Sequence, residues 1–248
     1  MHFTEEEFRD YTKHMLEMED TFKFTCSQCG ECCRNREDPI IITGVDIFHI
    51  AKALKITPAA VIENYTRGNI GPNSRMPIVT LAERADGSCK LLRKGKCTVH
   101  SEKPVVCAIY PLGRMLAIRK LDTAGIDKET SDKFKLKEYR YFMQPLTCGN
   151  STNEEHTLKE WLDSFNIQAR DDECIAWTEL FSLLSEMAIF FEKENFSPKS
   201  MDTFRYACFM MLYAEYTTDR DYMEQLKEQT AKAMQLQDLI NDHKDHLN

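Results

Sequence analysis

The sequence predicts an α+β fold, predominantly helical. Cysteine-rich loops with short β-hairpins fill residues 1–150, and a helical C-terminal region, residues 151–248, is expected to pack on them. Three observations carry this prediction. Cysteines crowd into polar, turn-rich sequence ahead of Asn150. β-Branched residues and Xaa-Gly pairs punctuate residues 76–100. Beyond Asn150, apolar residues recur mainly at helical spacing.

The elements follow in chain order. Residues 3 to 19 alternate acidic and apolar side chains at helical spacing, which predicts a short helix. TFKFTCSQCGECCRNRED has no strong helical period and reads as a loop. In IITGVDIFHIAKALKI, Thr43 with Asp46 three residues on resembles a capping box. Ile47, Ile50, Ala51 and Leu54 then give one apolar helix face. Thr57-Pro58 supplies a cap and a first-turn proline for a second short helix, expected to stop near Gly68. GNIGPNSRMP is expected to be a loop. From Met76 to His100, short strands joined by hairpins at Asp86-Gly87 and Lys94-Gly95 should carry Cys89 and Cys97. Prolines on either side of Cys107 predict extended or turn structure rather than a long helix. Residues 122 to 139 are charged and expected at the surface. HTLKEWLDSF, CIAWTELFSLLSEMAIFFEK, MDTFRYACFMMLYAEY and RDYMEQLKEQTAKAMQLQDLIND read as helices, with Ser197-Pro198 separating two of them. Met201, Phe204, Cys208, Met211 and Leu212 form a stripe expected in the core, and the last, polar helix is expected to fray or dock on a partner.

Composition excludes several function classes. Of 248 residues, 42% are hydrophobic and 29% charged, which fits a globular chain with a core rather than a disordered one. The formal net charge of -8 repels phosphate backbones, so no nucleic-acid partner is expected. MHFTEEEFRD lacks the basic start and apolar stretch of a secretory signal. Nowhere do about 18 apolar residues run together, so no membrane-spanning helix is expected. The expected location is the cytoplasm, where the ten cysteines would remain thiols and imply metal binding or redox chemistry.

Spacing decides which cysteines those are. In Cys26-x-x-Cys29-x-x-Cys32-Cys33, two intervening residues let a tight turn bring thiolates onto one ion. The run also matches the start of the ferredoxin ligand pattern, departing at the adjacent fourth cysteine. Neighbouring side chains diverge from an extended backbone, so Cys32 and Cys33 should serve different positions of a cluster or two neighbouring sites. The polar surroundings of these four cysteines are unlike those of inert buried thiols. Cys89, Cys97, Cys107 and Cys148 each sit at or near a turn and read as further ligands. His49 and His100 are expected to be solvated or hydrogen-bonded, although His100 could ligate through a ring nitrogen. Cys174 and Cys208 lie in apolar helical sequence and are assigned to the core. Asp171-Asp172 reads as a solvated helix start.

With these residues in place, the sequence resembles the YkgJ-like cysteine-cluster family, a zinc- or iron-chelating domain. The resemblance rests on the CxxCxxCC run at Cys26, Cys29, Cys32 and Cys33, on ITGVDIFHIAKAL, on Cys89-Lys90-Leu91-Leu92, on Gly95-Lys96-Cys97 and on KPVVCAIYPLG. It covers roughly residues 20 to 150. Lys103 and Ala108 stand where the family commonly has arginines, which weakens any anion-binding role there but removes no cysteine. The family includes flagellin lysine N-methylases, so the resemblance also implies use of S-adenosylmethionine and a protein substrate. No glycine-rich nucleoside loop supports that activity here.

The sulfur-rich donor set favours an iron–sulfur cluster, with zinc as the alternative. Three functions follow: a redox or protein-modifying iron–sulfur protein, a structural zinc protein whose thiolates hold loops together, or a lysine N-methyltransferase. A protein partner or protein substrate is compatible with each. A catalytic thiol at Cys107 is disfavoured, because no histidine–acid pair is readable beside it and Tyr110.

Overall fold

The fold, taken from a computed structural model and described for residues 14–34, 38–120, 135–144 and 154–245, is α+β. Along the chain come strands β1 (Met15–Leu16), β2 (Thr21–Lys23) and β3 (Ile41–Ile42), helices α1 (Gly44–Leu54) and α2 (Pro58–Tyr65), and strands β4 (Thr66–Ile70), β5 (Pro77–Leu81), β6 (Leu92–Arg93) and β7 (Lys96–Cys97). The short α3 (Val105–Ala108), the long strands β8 (Leu112–Lys120) and β9 (Lys135–Met143), and β10 (Glu155–Thr157) follow. Helices α4 (Leu158–Asp163), α5 (Ile167–Lys193) and α6 (Pro198–Phe209), a π-helical turn Met210–Ala214 and α7 (Tyr222–Asp245) complete the described chain.

The chain forms two compact units that interleave in sequence. Unit 1 comprises Met1–Cys32 and Val105–Ile175; unit 2 comprises Cys33–Pro104 and Ala176–Asn248.

In unit 1, β8 and β9 pair antiparallel along nine residues each, and β1 adds to the other edge of β9. β2 pairs with β10, which leads directly into α4. Thr157 and Glu160 cap α4 reciprocally: the Glu160 N–H donates to Thr157 Oγ1 at 3.1 Å, and the Thr157 N–H donates to Glu160 Oε2 at 2.9 Å. The core gathers aromatic rings around Trp161, with Phe22 and Phe24 edge-on at 5.8 and 5.6 Å between centroids. Each such buried ring contributes roughly 1.5–3 kcal/mol by leaving water.

In unit 2, the Thr43–Asp46 capping box forms as the sequence predicts, the Thr43 N–H donating to Asp46 Oδ2 at 2.9 Å. The apolar face of α1 buries Val45, Ile47, Phe48, Ile50 and Ala51. Thr57 caps α2 with Pro58 in its first turn, but α2 stops at Tyr65 rather than near Gly68. Thr66–Ile70 leaves the helix to pair with β5, so the first residues of GNIGPNSRMP are strand rather than loop. The three-stranded sheet has the order β3-β5-β4. Lys94 and Gly95 both take positive φ, 50° and 76°, at the β6–β7 turn, as a tight hairpin requires.

Further expectations are corrected or fall outside the description. Residues 14–19 form strand and turn instead of helix, because β1 finds a partner in β9; the earlier part of that expected helix lies outside the described residues. Residues 135–139 belong to β9, while most of the expected charged surface segment lies outside the described residues. The segment around Cys107 contains one short helix, α3. Ser197-Pro198 starts α6, the Ser200 N–H donating to Ser197 Oγ at 3.1 Å.

Helix α5 is long and apolar enough to cross a membrane by length and composition, with a mean hydropathy of 1.5 over its most apolar window, 39% of which is buried. Glu179 and Glu186 interrupt its apolar sequence, so no unbroken apolar run marks it. Its buried positions Trp177, Leu180, Leu184, Ala188 and Phe191 recur every three or four residues, the stripe of a core-facing helix.

Candidate metal centre

The sequence-predicted thiols divide between the units. Unit 1 holds Cys26, Cys29, Cys32 and Cys107; unit 2 holds Cys33, Cys89 and Cys97. Cys148 lies outside the described residues. All seven described candidates are thiols rather than disulfides: Cys29 and Cys32 exposed, Cys26, Cys33, Cys97 and Cys107 half-buried, and Cys89 buried.

The first motif in unit 1 leaves β2 and winds through two left-handed residues, Gln28 at φ 54° and Gly30 at φ 78°, before the 3-10 turn Glu31–Cys33. Left-handed residues at these points fold the run back on itself, and such turns aim successive backbone N–H groups to one side, where they suit thiolate charge. Aromatic packing ties this motif to the Cys107 segment. Phe24, two residues before Cys26, meets the Tyr110 ring edge-on at 5.5 Å. Trp161 packs on Phe24 and donates its indole N–H to the Ile109 carbonyl at 3.1 Å. Cys107 sits on α3, immediately before this anchor.

In unit 2, backbone hydrogen bonds string the thiols together. The Cys89 N–H donates to the Cys33 carbonyl at 2.8 Å, and the Leu92 N–H donates to the Cys89 carbonyl at 2.9 Å. Leu92 in turn faces Cys97 across the β6–β7 hairpin. Arg84 braces the centre of this chain: its guanidinium donates to the carbonyls of Cys89 and Lys90 and to Ser88 Oγ. Sequence reading missed Arg84, whose targets are main-chain oxygens and leave no side-chain pattern. Asp86 accepts from the Ser88 N–H and hydroxyl, forming the expected Asp86-Gly87 turn, and these bonds hold its carboxyl below the usual range. His100 lies three residues beyond Cys97; burial, then the charge of Lys103, lower its proton affinity and favour the neutral ring. His49 hydrogen-bonds Glu102 at 3.0 Å, the hydrogen-bonded state expected of it.

Among the described residues, no three histidine, cysteine, aspartate or glutamate side chains are gathered closely enough to hold an ion as they stand. The donor chemistry suits zinc or iron, since the sulfurs are thiols on turns and short elements. Thiolate sites of this kind commonly take up their geometry together with their ion. The remaining cysteines behave as core residues. Cys174 and Cys208 are each 1% exposed, and burial pushes the Cys208 thiol up to about 12.

A second polar centre in unit 1 was misread from sequence. Asp171 is not solvated: with 15% side-chain exposure, it accepts hydrogen bonds from the Arg114 guanidinium and the Tyr141 hydroxyl. Arg114 stacks over the Tyr139 ring at 3.8 Å and faces Tyr141 in the β8–β9 register. Burial raises the proton affinity of Asp171, opposed by Arg114 and Tyr141, and burial likewise raises that of Tyr141. The alternation of Tyr139, Tyr141 and Met143 on one strand face was the available signal.

Comparison with known families returns one match. The CxxCxxCC family model, described as "Putative zinc- or iron-chelating domain", matches residues 25–174, more than half of the chain. No curated protein and no solved structure matches.

Proposed function

The chain belongs to the CxxCxxCC family of zinc- or iron-chelating domains, and on that premise we propose that it holds iron as an iron–sulfur cluster on the thiolates of unit 1. Cys26, Cys29, Cys32 and Cys107 would supply the sulfur ligands. The carrying observation is the aromatic tie of Phe24 to Tyr110 and of Trp161 to Ile109, which brings the segments bearing these cysteines to one core. The ligand chemistry is all sulfur, as such clusters prefer. An iron–sulfur group bound there would supply one-electron redox chemistry. The chain's own part is to keep the thiols reduced and reachable, to turn the loop at Gln28 and Gly30, and to hold the Cys107 segment beside it. The reading places the protein in a reducing compartment, the cytoplasm.

A second reading, zinc, draws on unit 2. Cys33, Cys89 and Cys97 lie along one hydrogen-bonded stretch, and His100 is disposed to the neutral form a ligand must have. Three sulfurs and one imidazole are a zinc set.

Anaerobic purification with elemental analysis and visible spectroscopy separates the readings. Iron with sulfide and visible charge-transfer absorption, lost when Cys26, Cys29, Cys32 and Cys107 are replaced by serine, is the expected result. Colourless protein with stoichiometric zinc, lost on replacing Cys33, Cys89 and Cys97, selects the second reading. Protein that binds neither metal overturns both.

A further inference from the structure

The loop bearing Cys89 is built around a charged side chain that ligates nothing itself. Arg84 is half-buried, and its guanidinium donates to three consecutive residues: Nη1 to Ser88 Oγ at 3.2 Å and to the Cys89 carbonyl, and Nη2 to the Lys90 carbonyl at 2.7 Å. The main chain closes the same loop, the Arg84 N–H donating to the Ser88 carbonyl at 2.8 Å and the Lys90 N–H to the Ala82 carbonyl at 3.0 Å. Asp86 supports Ser88 in turn, accepting from its hydroxyl at 2.6 Å. Ser88 and Cys89 are both buried.

This arrangement fixes the main chain of Cys89 without any ion. Its N–H is bonded to the Cys33 carbonyl, and its carbonyl oxygen receives both the guanidinium and the Leu92 N–H. With both main-chain groups committed, rotation of the side chain is what remains to aim the sulfur. A ligand ordered in advance spares ion binding the entropy of ordering it. The guanidinium also brings charge. The oxygen and sulfur of one cysteine are four bonds apart, so the Arg84 charge lies within roughly 7 Å of the Cys89 sulfur in any rotamer. At that range it offsets the surplus negative charge that several thiolates around one divalent ion carry.

We propose that Arg84 is the positioning residue of the unit 2 metal site: its fork holds the Cys89 main chain ready, and its charge balances the thiolates that take the ion. The inference rests on the reading of Cys33, Cys89 and Cys97 as ligands, and it adds a group from outside that set. Groups that act on a metal through its ligands are commonly worth roughly 10–100-fold in affinity. A lysine at this position would carry the charge without the planar fork that reaches Ser88, Cys89 and Lys90 together. The two contributions, geometry and charge, are therefore separable by substitution.

Zinc affinity by chelator competition, with cobalt(II) absorption as the spectroscopic probe, tests this on the full chain carrying serine at Cys26, Cys29, Cys32 and Cys107, so that the unit 1 candidates do not compete. Thiolate-to-cobalt charge-transfer absorption reports how many sulfurs share the ion. Arg84→Met is expected to lower zinc affinity roughly tenfold or more and to weaken that absorption, with circular dichroism unchanged. Arg84→Lys is expected to fall between it and the parent. Arg93→Met removes the same charge from an exposed position on β6 and is expected to bind as the parent does. Arg84→Met or Arg84→Lys with the parent's affinity and cobalt spectrum overturns the proposal and leaves the ligand reading standing. So does an equal loss in Arg93→Met, which would make the effect one of net charge. A parent chain whose zinc and cobalt binding survives replacement of Cys33, Cys89 and Cys97 by serine, or that binds neither ion, overturns the ligand reading itself. Should Arg84→Met fail to fold, Arg84→Lys decides alone.

Discussion

A buried or half-buried carboxylate in each unit shows two ways of satisfying a polar group. In unit 2, Asp46 and several other groups find partners near in sequence, while the buried Trp177 and Tyr213 reach the distant carbonyls of Leu212 and Pro77. Asp46 bonds Thr43, Ser88 bonds Asp86, and Gln225 accepts from the Thr217 N–H at 2.8 Å and donates to the Thr217 carbonyl at 3.0 Å. In unit 1, Asp171 is satisfied by Arg114 and Tyr141, which arrive from two strands far away in sequence. Local satisfaction makes a turn or a cap that needs only its own segment. Distant satisfaction makes a buried ion pair that exists only after β8, β9 and the start of α5 have met. The first kind shapes an element; the second fixes where elements lie.

The largest expected effect tests that distinction. Replacing Asp171 by Ala strands the Arg114 charge in a mostly buried site, and breaking a buried pair in this way costs about 3–5 kcal/mol. Denaturant unfolding followed by tryptophan fluorescence should show that loss. The double variant Arg114→Met with Asp171→Leu removes both charges and should recover most of it. A cost below about 1 kcal/mol for Asp171→Ala would put the pair in the class of surface ion pairs and dissolve the contrast between the units.

The same contrast explains what could be read from sequence. The Thr43–Asp46 box, the Thr57-Pro58 and Ser197-Pro198 starts and the Lys94-Gly95 turn are local chemistry, and all were legible. β1, β4 and β9 were not. Thr66–Ile70 has no apolar alternation of its own and becomes a strand because Pro77–Leu81 lies beside it. Lys135–Tyr139 reads as charged surface until Leu112–Lys120 pairs with it. Asp171 looked like a solvated helix start because nothing near it in sequence announces Arg114. At the candidate metal centre the cysteine spacings and the turns carrying Cys89 and Cys97 were legible.

A smaller effect sharpens the comparison from the side of unit 2. Gly44, at the start of α1, needs no unusual backbone angle, yet a Cβ there would lie 2.0 Å from the Leu212 carbonyl oxygen and 2.7 Å from the Trp177 indole nitrogen. Those two groups hydrogen-bond each other at 3.0 Å. Gly44→Ala therefore wedges apart a buried bond and should cost roughly 1–3 kcal/mol by overpacking. Gly68→Ala, where a Cβ would meet only the Ile78 carbonyl oxygen at 3.9 Å, should leave thermal unfolding nearly unchanged. Equal effects at both glycines would mean that unit 2 yields to added volume as readily inside as at its edge.

The smallest effect belongs to a local device of unit 1, the Thr157–Glu160 box. Hydrogen bonds from the Thr157 backbone and then its side chain hold the Glu160 carboxyl below its ordinary range. A carboxylate whose folded proton affinity is depressed stabilises the fold above its unfolded pKa and loses that contribution as pH falls through the depressed value. Wild type should therefore be more stable than Glu160→Gln at neutral pH, and the two melting curves should converge in acid. The glutamine can still accept from the Thr157 N–H, so the difference isolates the charge at the helix start. A gap that stays constant from neutral to acid pH would assign the effect to packing instead. Because Glu160 is fully exposed, the gap should also shrink with added salt, whereas the loss in Asp171→Ala should barely respond.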